Sequence, residues 1–238
     1  MNKTAKVYLI PNTLGAEADI AKSFPNYNKV VLESLSHFAV ENLKDARRFL
    51  VRIGLKYKID ESEFYTLDKR SDISSIQPIL AQLKSGASVG IISDAGCPGI
   101  ADPGSILVAE AHQNNIQVVP LIGPSSILLA LIGSGFNGQS FTFHGYLNRE
   151  KTIKIKELKE MELSSKAKDQ TQIFMETPYR NENLWEEIIK NLRPSTKVCI
   201  GANLSLSNEF LQTKSVGEWK KIPKPNLHKV PTIFCLYA

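Results

Sequence analysis

The run Ser93-Asp94-Ala95-Gly96-Cys97-Pro98-Gly99-Ile100-Ala101-Asp102-Pro103-Gly104 gathers three glycines and two prolines between an apolar strand pattern, residues 87–92, and a helical pattern opening at Ser105. Glycine tolerates the unusual backbone angles of a tight loop, and proline stiffens it. A turn so built brings backbone N–H and C=O groups against a ligand without side-chain bulk. In an open α/β sheet, ligands collect at the carboxyl ends of strands, so this run is read as a ligand loop. The rest of the chain offers little reactive chemistry. It contains no Ser-His-Asp set, no zinc-ligand spacing and no phosphate loop, and the first strand is followed by Pro11-Asn12-Thr13-Leu14-Gly15, where a dinucleotide fingerprint would read G-x-G-x-x-G. No metal and no nicotinamide or flavin cofactor is expected.

The charge balance permits an anionic partner. The formal net charge is +5 over 238 residues, and basic residues cluster at Lys44, Arg47 and Arg48, through residues 151–159, and at Lys220, Lys221, Lys224 and Lys229. Lys44, Arg47 and Arg48 fall on one predicted helix at spacings of three and four, which suits a phosphate-binding face or a solvated one. Cys97, Cys199 and Cys235 read as reduced thiols. No apolar run reaches the ~20 residues of a membrane helix. Met1-Asn2-Lys3-Thr4 leads into the first strand pattern without a leader's apolar core, so a cytoplasmic protein is expected.

Strand and helix patterns alternate, as in βαβ units. Strands are predicted at residues 6–10, 29–32, 38–40, 88–92 and 117–121, and helices at 16–22, 43–53, 73–85 and 105–114. Gly123-Pro124 then breaks the pattern, with Ser125-Ser126 as a helix cap before the apolar run 127–132. Further strands are predicted at 140–145, 172–176, 197–202 and 232–237, with a helix at 183–190. Lysine-rich residues 151–169 read as a helix followed by a mobile loop. The fold class is therefore α/β, with a mainly parallel N-terminal sheet in residues 1–121 and a mixed sheet in residues 122–238. Part of the 127–132 run is available to a partner subunit.

The ligand loop resembles the signature loop of the tetrapyrrole methylase superfamily, the class III S-adenosylmethionine-dependent methyltransferases, and within it the enzymes that methylate ribosomal RNA. The likeness continues, in order, through Val7 to Gly15, Glu41-Asn42-Leu43-Lys44, Val118 to Ser126, and Phe174-Met175-Glu176-Thr177-Pro178-Tyr179-Arg180. It implies a cofactor cleft between two α/β domains, a homodimer, and methyl transfer from S-adenosylmethionine, most closely to a ribose 2'-hydroxyl of ribosomal RNA. By position it carries cofactor contacts onto Leu14, Asp94, Gly96, Cys97, Ile100, Ser125, Ser126 and Met175, and onto Gly201, Ala202 and the Pro231-Thr232 turn. Transfer from a sulfonium needs the methyl carbon ~3 to 3.5 Å from its acceptor and in line with the leaving sulfur. A hydroxyl acceptor must also lose a proton.

Glu41, Asp94 and Glu176 are the candidate bases. Asp94 equally suits Asx-type bonds within the loop, and Glu176 an ion pair with Arg180, four residues on. Acceptor RNA is expected to meet Lys44, Arg47 and Arg48, with Lys154 or Lys156 as further phosphate contacts. The sequence departs from the RNA enzymes on the acceptor side: Asn42 replaces an acidic residue, Leu43 a threonine and Tyr179 a histidine, and Gly201-Ala202-Asn203 replaces an arginine and a glutamate. The chain is also expected to end at the second domain, without the additional C-terminal portion of many relatives. Three alternatives therefore stay open: a tetrapyrrole acceptor, a modified protein side chain, and a noncatalytic cofactor-binding relative.

Overall fold

The computed structural model describes residues 5–68 and 70–238; the expected lead-in at Met1-Asn2-Lys3-Thr4 lies outside them. The chain divides into two units, Met1–Pro124 and Ser125–Ala238.

The first unit runs β1 (Lys6–Ile10), α1 (Ile20–Ser23), α2 (Asn26–Ser34), β2 (His37–Val40), α3 (Leu43–Arg52), β3 (Glu63–Thr66), α4 (Ile73–Lys84), β4 (Val89–Ile92), α5 (Ser105–Gln113) and β5 (Gln117–Pro120). Its strands lie in the order β3-β2-β4-β1-β5, and every pairing is parallel. β4 reads Val-Gly-Ile-Ile and is buried throughout, as a strand covered on both faces must be. Ile10, Leu32, Phe38, Phe49 and Leu50 form one core, and Val7, Ile76, Ile79, Val89 and Leu107 the other. Gly90 is required by the first: a Cβ there would sit 2.5 Å from Ile10 Cδ1.

Two predicted elements are corrected here. Residues 29–32, read as a strand, lie within α2, because Asn28, Val31 and Leu32 are buried at helical spacing while Val30 is exposed. The helix expected over 16–22 is reduced to Ile20–Ser23, since the Asp19 side chain caps it by accepting the Ala21 N–H at 3.0 Å.

The second unit runs α6 (Ser126–Ser134), β6 (Phe141–Tyr146), α7 (Lys151–Lys168), β7 (Thr171–Met175), α8 (Asn181–Asn191), β8 (Lys197–Ala202), β9 (Phe210–Ser215), α9 (Val216–Trp219) and β10 (Thr232–Tyr237). The strand order is β6-β7-β10-β8-β9; β6 and β7 are parallel and the other pairs antiparallel, giving the expected mixed sheet. Phe174 and Phe234 stack at 5.8 Å in its core, and Trp185 meets Trp219 edge to face at 5.1 Å. The mobile loop expected within 151–169 is absent: α7 continues to Lys168, held by buried Leu158, Met161, Glu162 and Ser165.

Candidate functional site

Within the first unit, the chain leaves β1 toward β2 and leaves β4 toward β5, in opposite directions from two adjacent strands. Such a switch point opens a crevice at the strands' carboxyl ends. The loop after β1 and the loop after β4 meet there. Asn12 N–H donates to the Gly96 carbonyl at 2.9 Å, Gly96 N–H donates back to Asn12 at 3.1 Å, and the Asn12 amide donates to the carbonyls of Ser93 and Asp94 at 3.1 and 3.2 Å. Asn12 is buried. Sequence reading passed over it, although an asparagine directly after a central strand was an available signal.

The loop is strained in the way its glycines predicted. Gly96, Gly99 and Gly104 have φ of 68°, 81° and 126°, and Ala101 joins them at 59°. A Cβ on Gly96 would lie 3.3 Å from Leu14 Cδ2 and 3.4 Å from the Pro124 carbonyl, whereas one on Gly99 would meet nothing within 4 Å. Ser93 Oγ lies 2.7 Å from Asp102 Oδ2 and closes the loop from inside. The Cys97 thiol donates to the Pro124 carbonyl at 3.5 Å, and burial raises its pKa. Leu14, Asp94, Gly96 and Cys97 are thus brought together, while Ile100 stands 48 % exposed farther along the loop.

A groove of about 1090 Å³ opens beside this loop, between the segment after β1 and helix α3. Asn42 caps α3 by accepting the N–H groups of Lys44 and Asp45 at 3.0 and 3.4 Å, which fixes the helix start at the groove. Lys44, Arg47, Arg48 and Arg52 line it together with Asp45 and Asp94. Arg47 rests over the Phe64 ring at 5.9 Å, and Arg48 pairs with Asp45 at 3.2 Å. Arg52 donates to Thr13 Oγ1 and to the Ala18 carbonyl, both at 3.1 Å. It was missed, although it continues the series one helical turn beyond Arg48. Burial raises the Asp94 pKa, as do the negative charges of Glu41 and Asp45, against a lowering hydrogen bond from the Asn42 backbone.

In the second unit, Ser125 caps α6 by accepting the Leu128 N–H at 3.4 Å, with Ser126 in the first turn. Met175, Gly201, Ala202 and Thr232 share one end of the sheet, where Ile233 pairs with both Met175 and Gly201 and Thr232 pairs with Ala202. Gly201 is needed for packing, because a Cβ would lie 3.3 Å from that of Ala130 on α6. Glu176 is fully buried. Its Oε1 accepts from Arg180 Nη2 at 2.5 Å and from the Thr177 N–H at 2.7 Å, and Lys154 Nζ stands 3.4 Å from Oε2. Lys154, expected at a phosphate, is instead buried against this carboxylate, while Lys156 faces outward and pairs with Glu160. In α6, Ala130 and Leu131 are buried, whereas Leu128 is exposed and Ile132 is 75 % exposed.

The sequence profile of the tetrapyrrole (corrin/porphyrin) methylases matches residues 17–219. Among curated proteins, ribosomal RNA small subunit methyltransferase I of Thermotoga maritima is 32% identical over 175 residues, 72% of this chain and 74% of that protein. Its Vibrio cholerae counterpart is 29% identical over 212 residues, 89% of this chain and 69% of that protein. Among solved structures, the methyltransferase CobJ superposes with a TM-score of 0.63 at 15% identity, covering 98% of this chain and 94% of that one. Cobalt precorrin-4 methyltransferase does so at 0.58 and 12%, covering 100% and 96%. These superpositions show the shared fold.

Proposed function

The chain belongs to the tetrapyrrole methylase family, and from that premise we propose that it is an S-adenosylmethionine-dependent methyltransferase acting on an anionic acceptor at the groove along α3. The observation that carries this reading is the junction of a strained, side-chain-poor loop with a groove lined by four basic residues at one switch point.

The loop fits a cofactor gripped by backbone. Gly99 leaves its outer side clear, and Gly96 has no room for a side chain. The N–H and C=O groups of residues 94–100, with Leu14 beside them, would hold it in the first unit. When bound, the cofactor supplies a methyl group already activated on a sulfonium. The chain's task is then orientation: Arg52, fastened to Thr13 and Ala18, and Lys44 hold the acceptor's negative groups. Asp94, whose raised pKa makes it a better proton acceptor than an ordinary carboxylate, receives the proton of an acceptor hydroxyl, with Glu41 nearby in charge. Glu176 is better suited to holding its own turn in place than to proton transfer.

Two acceptors suit a basic groove. A tetrapyrrole is supported by the family's description and by the solved neighbours, and on structural likeness it is the better supported. Ribosomal RNA is supported by the names of the curated relatives. Incubation with methyl-labelled cofactor and separate RNA, tetrapyrrole and protein fractions decides between them. Label in the tetrapyrrole fraction alone removes the RNA reading, label in RNA alone removes the tetrapyrrole, and cofactor binding without transfer to any fraction removes the enzyme. We propose further that the protein is a cytoplasmic homodimer, with the exposed Leu128 and Ile132 of α6 in the subunit contact; light scattering at micromolar concentration giving a monomer mass would rule the dimer out.

A further inference from the structure

The second unit carries an exposed aromatic ring on an unusually well fastened turn. Tyr179 is 71 % exposed, yet the short 3-10 turn beneath it, Pro178–Arg180, is tied on both sides of the ring. Thr177 N–H and Arg180 both bond to the buried Glu176 carboxylate, Arg180 Nε donates to Thr177 Oγ1 at 3.1 Å, and Arg180 N–H donates to the Thr177 carbonyl at 2.8 Å. From the other side, Lys229 N–H donates to the Pro178 carbonyl at 3.1 Å, and the buried Asn181 amide donates to the Val230 carbonyl at 2.6 Å. Withdrawing a carboxylate and a lysine from water is unfavourable unless their geometry is maintained. That arrangement holds a ring which packs into no core.

Lys229 is the second observation. Its backbone lies in the left-handed region at φ 58°, which is strained for a lysine. The strained conformation places Nζ 5.6 Å from the centroid of the Tyr179 ring. A flat π surface with an ammonium over one face matches an unpaired nucleotide, which offers a base to stack on the opposite face and a phosphate to neutralise.

We propose that Tyr179 and Lys229 form a platform for one unpaired nucleotide of an RNA acceptor, with the base on the phenol ring and the phosphate at the ammonium. This inference rests on the RNA reading above and names the residues that would hold the acceptor on the second unit.

The test is fluorescence anisotropy with a short, fluorescein-labelled oligouridylate across a salt series. Tyr179→Ala is expected to weaken binding between about 5-fold and about 150-fold, the range for losing one base–aromatic stack, while Tyr179→Phe stays near wild type. Lys229→Gly keeps the backbone angle and is expected to reduce the log–log salt slope by about 0.7, one phosphate contact on a single strand. In Tyr179→Trp, the emission added above that of the two native tryptophans is expected to be quenched by the oligonucleotide, a signal that altered folding alone would not produce. Wild-type RNA binding that Tyr179→Ala leaves unchanged overturns the platform and spares the RNA reading. Absence of RNA binding by the wild type at low salt overturns both. Quenching of the Tyr179→Trp signal by uroporphyrin and not by RNA overturns the nucleotide assignment in favour of a tetrapyrrole.

Discussion

Replacing Glu176 by Gln tests whether the second unit depends on its buried charges. The Glu176 side chain is 0% exposed and that of Lys154 is 7% exposed, with Nζ 3.4 Å from Oε2. At an effective dielectric constant of about 20, that separation corresponds to a gross attraction of about 5 kcal/mol, most of it offset by the desolvation of both groups. Glu176→Gln leaves the lysine buried without its counter-charge, a change that typically destabilises by about 3 to 5 kcal/mol. Arg180 is 29% exposed and can turn toward water, which sets the expectation near the lower end, about 3 kcal/mol. Lys154→Met should be milder, because Glu176 keeps Arg180, and adding Lys154→Met to Glu176→Gln should recover most of the loss. Both tryptophans, Trp185 and Trp219, lie in the core of this unit, so their emission during urea unfolding reports on it selectively. An unchanged midpoint for Glu176→Gln, or a double variant no more stable than the single one, would refute the reasoning.

Gly96→Ala adds a methyl 3.3 Å from Leu14 and 3.4 Å from the Pro124 carbonyl at a positive φ; calorimetry should show at least about tenfold weaker cofactor binding, the equivalent of some 1.4 kcal/mol, with the circular dichroism spectrum retained. Replacing Lys44, Arg47 and Arg48 together by Ala should weaken RNA binding broadly and lower the salt slope by at most about 0.7 per contact, while cofactor affinity holds. Two aspartates should give stability opposite pH dependences. Asp94 binds its proton more tightly folded than unfolded, so its unfavourable contribution is present at neutral pH and is relieved as pH falls through its raised pKa toward the ordinary aspartate value of 3.8; thermal melts of Asp94→Asn should lack this gain. Asp72, lowered to about 2 by bonds from Ser74 and Ser75, stabilises the start of α4 above pH 3.8 and loses that effect as pH falls toward 2, so the melting difference between wild type and Asp72→Ala should shrink over that interval.

What was legible in the sequence was legible for local reasons. β1 and β4 are central strands, and the density of glycine and proline after β4 has a backbone cause visible residue by residue. The edge strands β3 and β9 were not: their exposed and half-buried positions fall in runs, so neither shows the continuous apolar run of a buried strand nor a clean period of two. In α2, the β-branched pair Val30-Val31 suggested a strand, and the burial of Asn28, Val31 and Leu32 at helical spacing outweighed local propensity. At the candidate site, Lys44, Arg47 and Arg48 could be placed on one helix from spacing. Their division of labour, with Arg47 on Phe64 and Arg48 on Asp45, depends on side chains far apart in sequence or on rotamers that spacing does not encode. Lys154 shows the same limit, since nothing in a lysine-rich run marks the one lysine that turns inward to a carboxylate on another element.

The reciprocal pair of hydrogen bonds between Asn12 and Gly96 has a mechanical consequence. It works as a latch: the segment after β1 and the segment after β4 open as one piece, because either one moving alone breaks both bonds and strands the buried Asn12 amide. A ligand gripping one segment therefore restrains the other, and the Asn12 and Gly96 amides exchange with solvent in step.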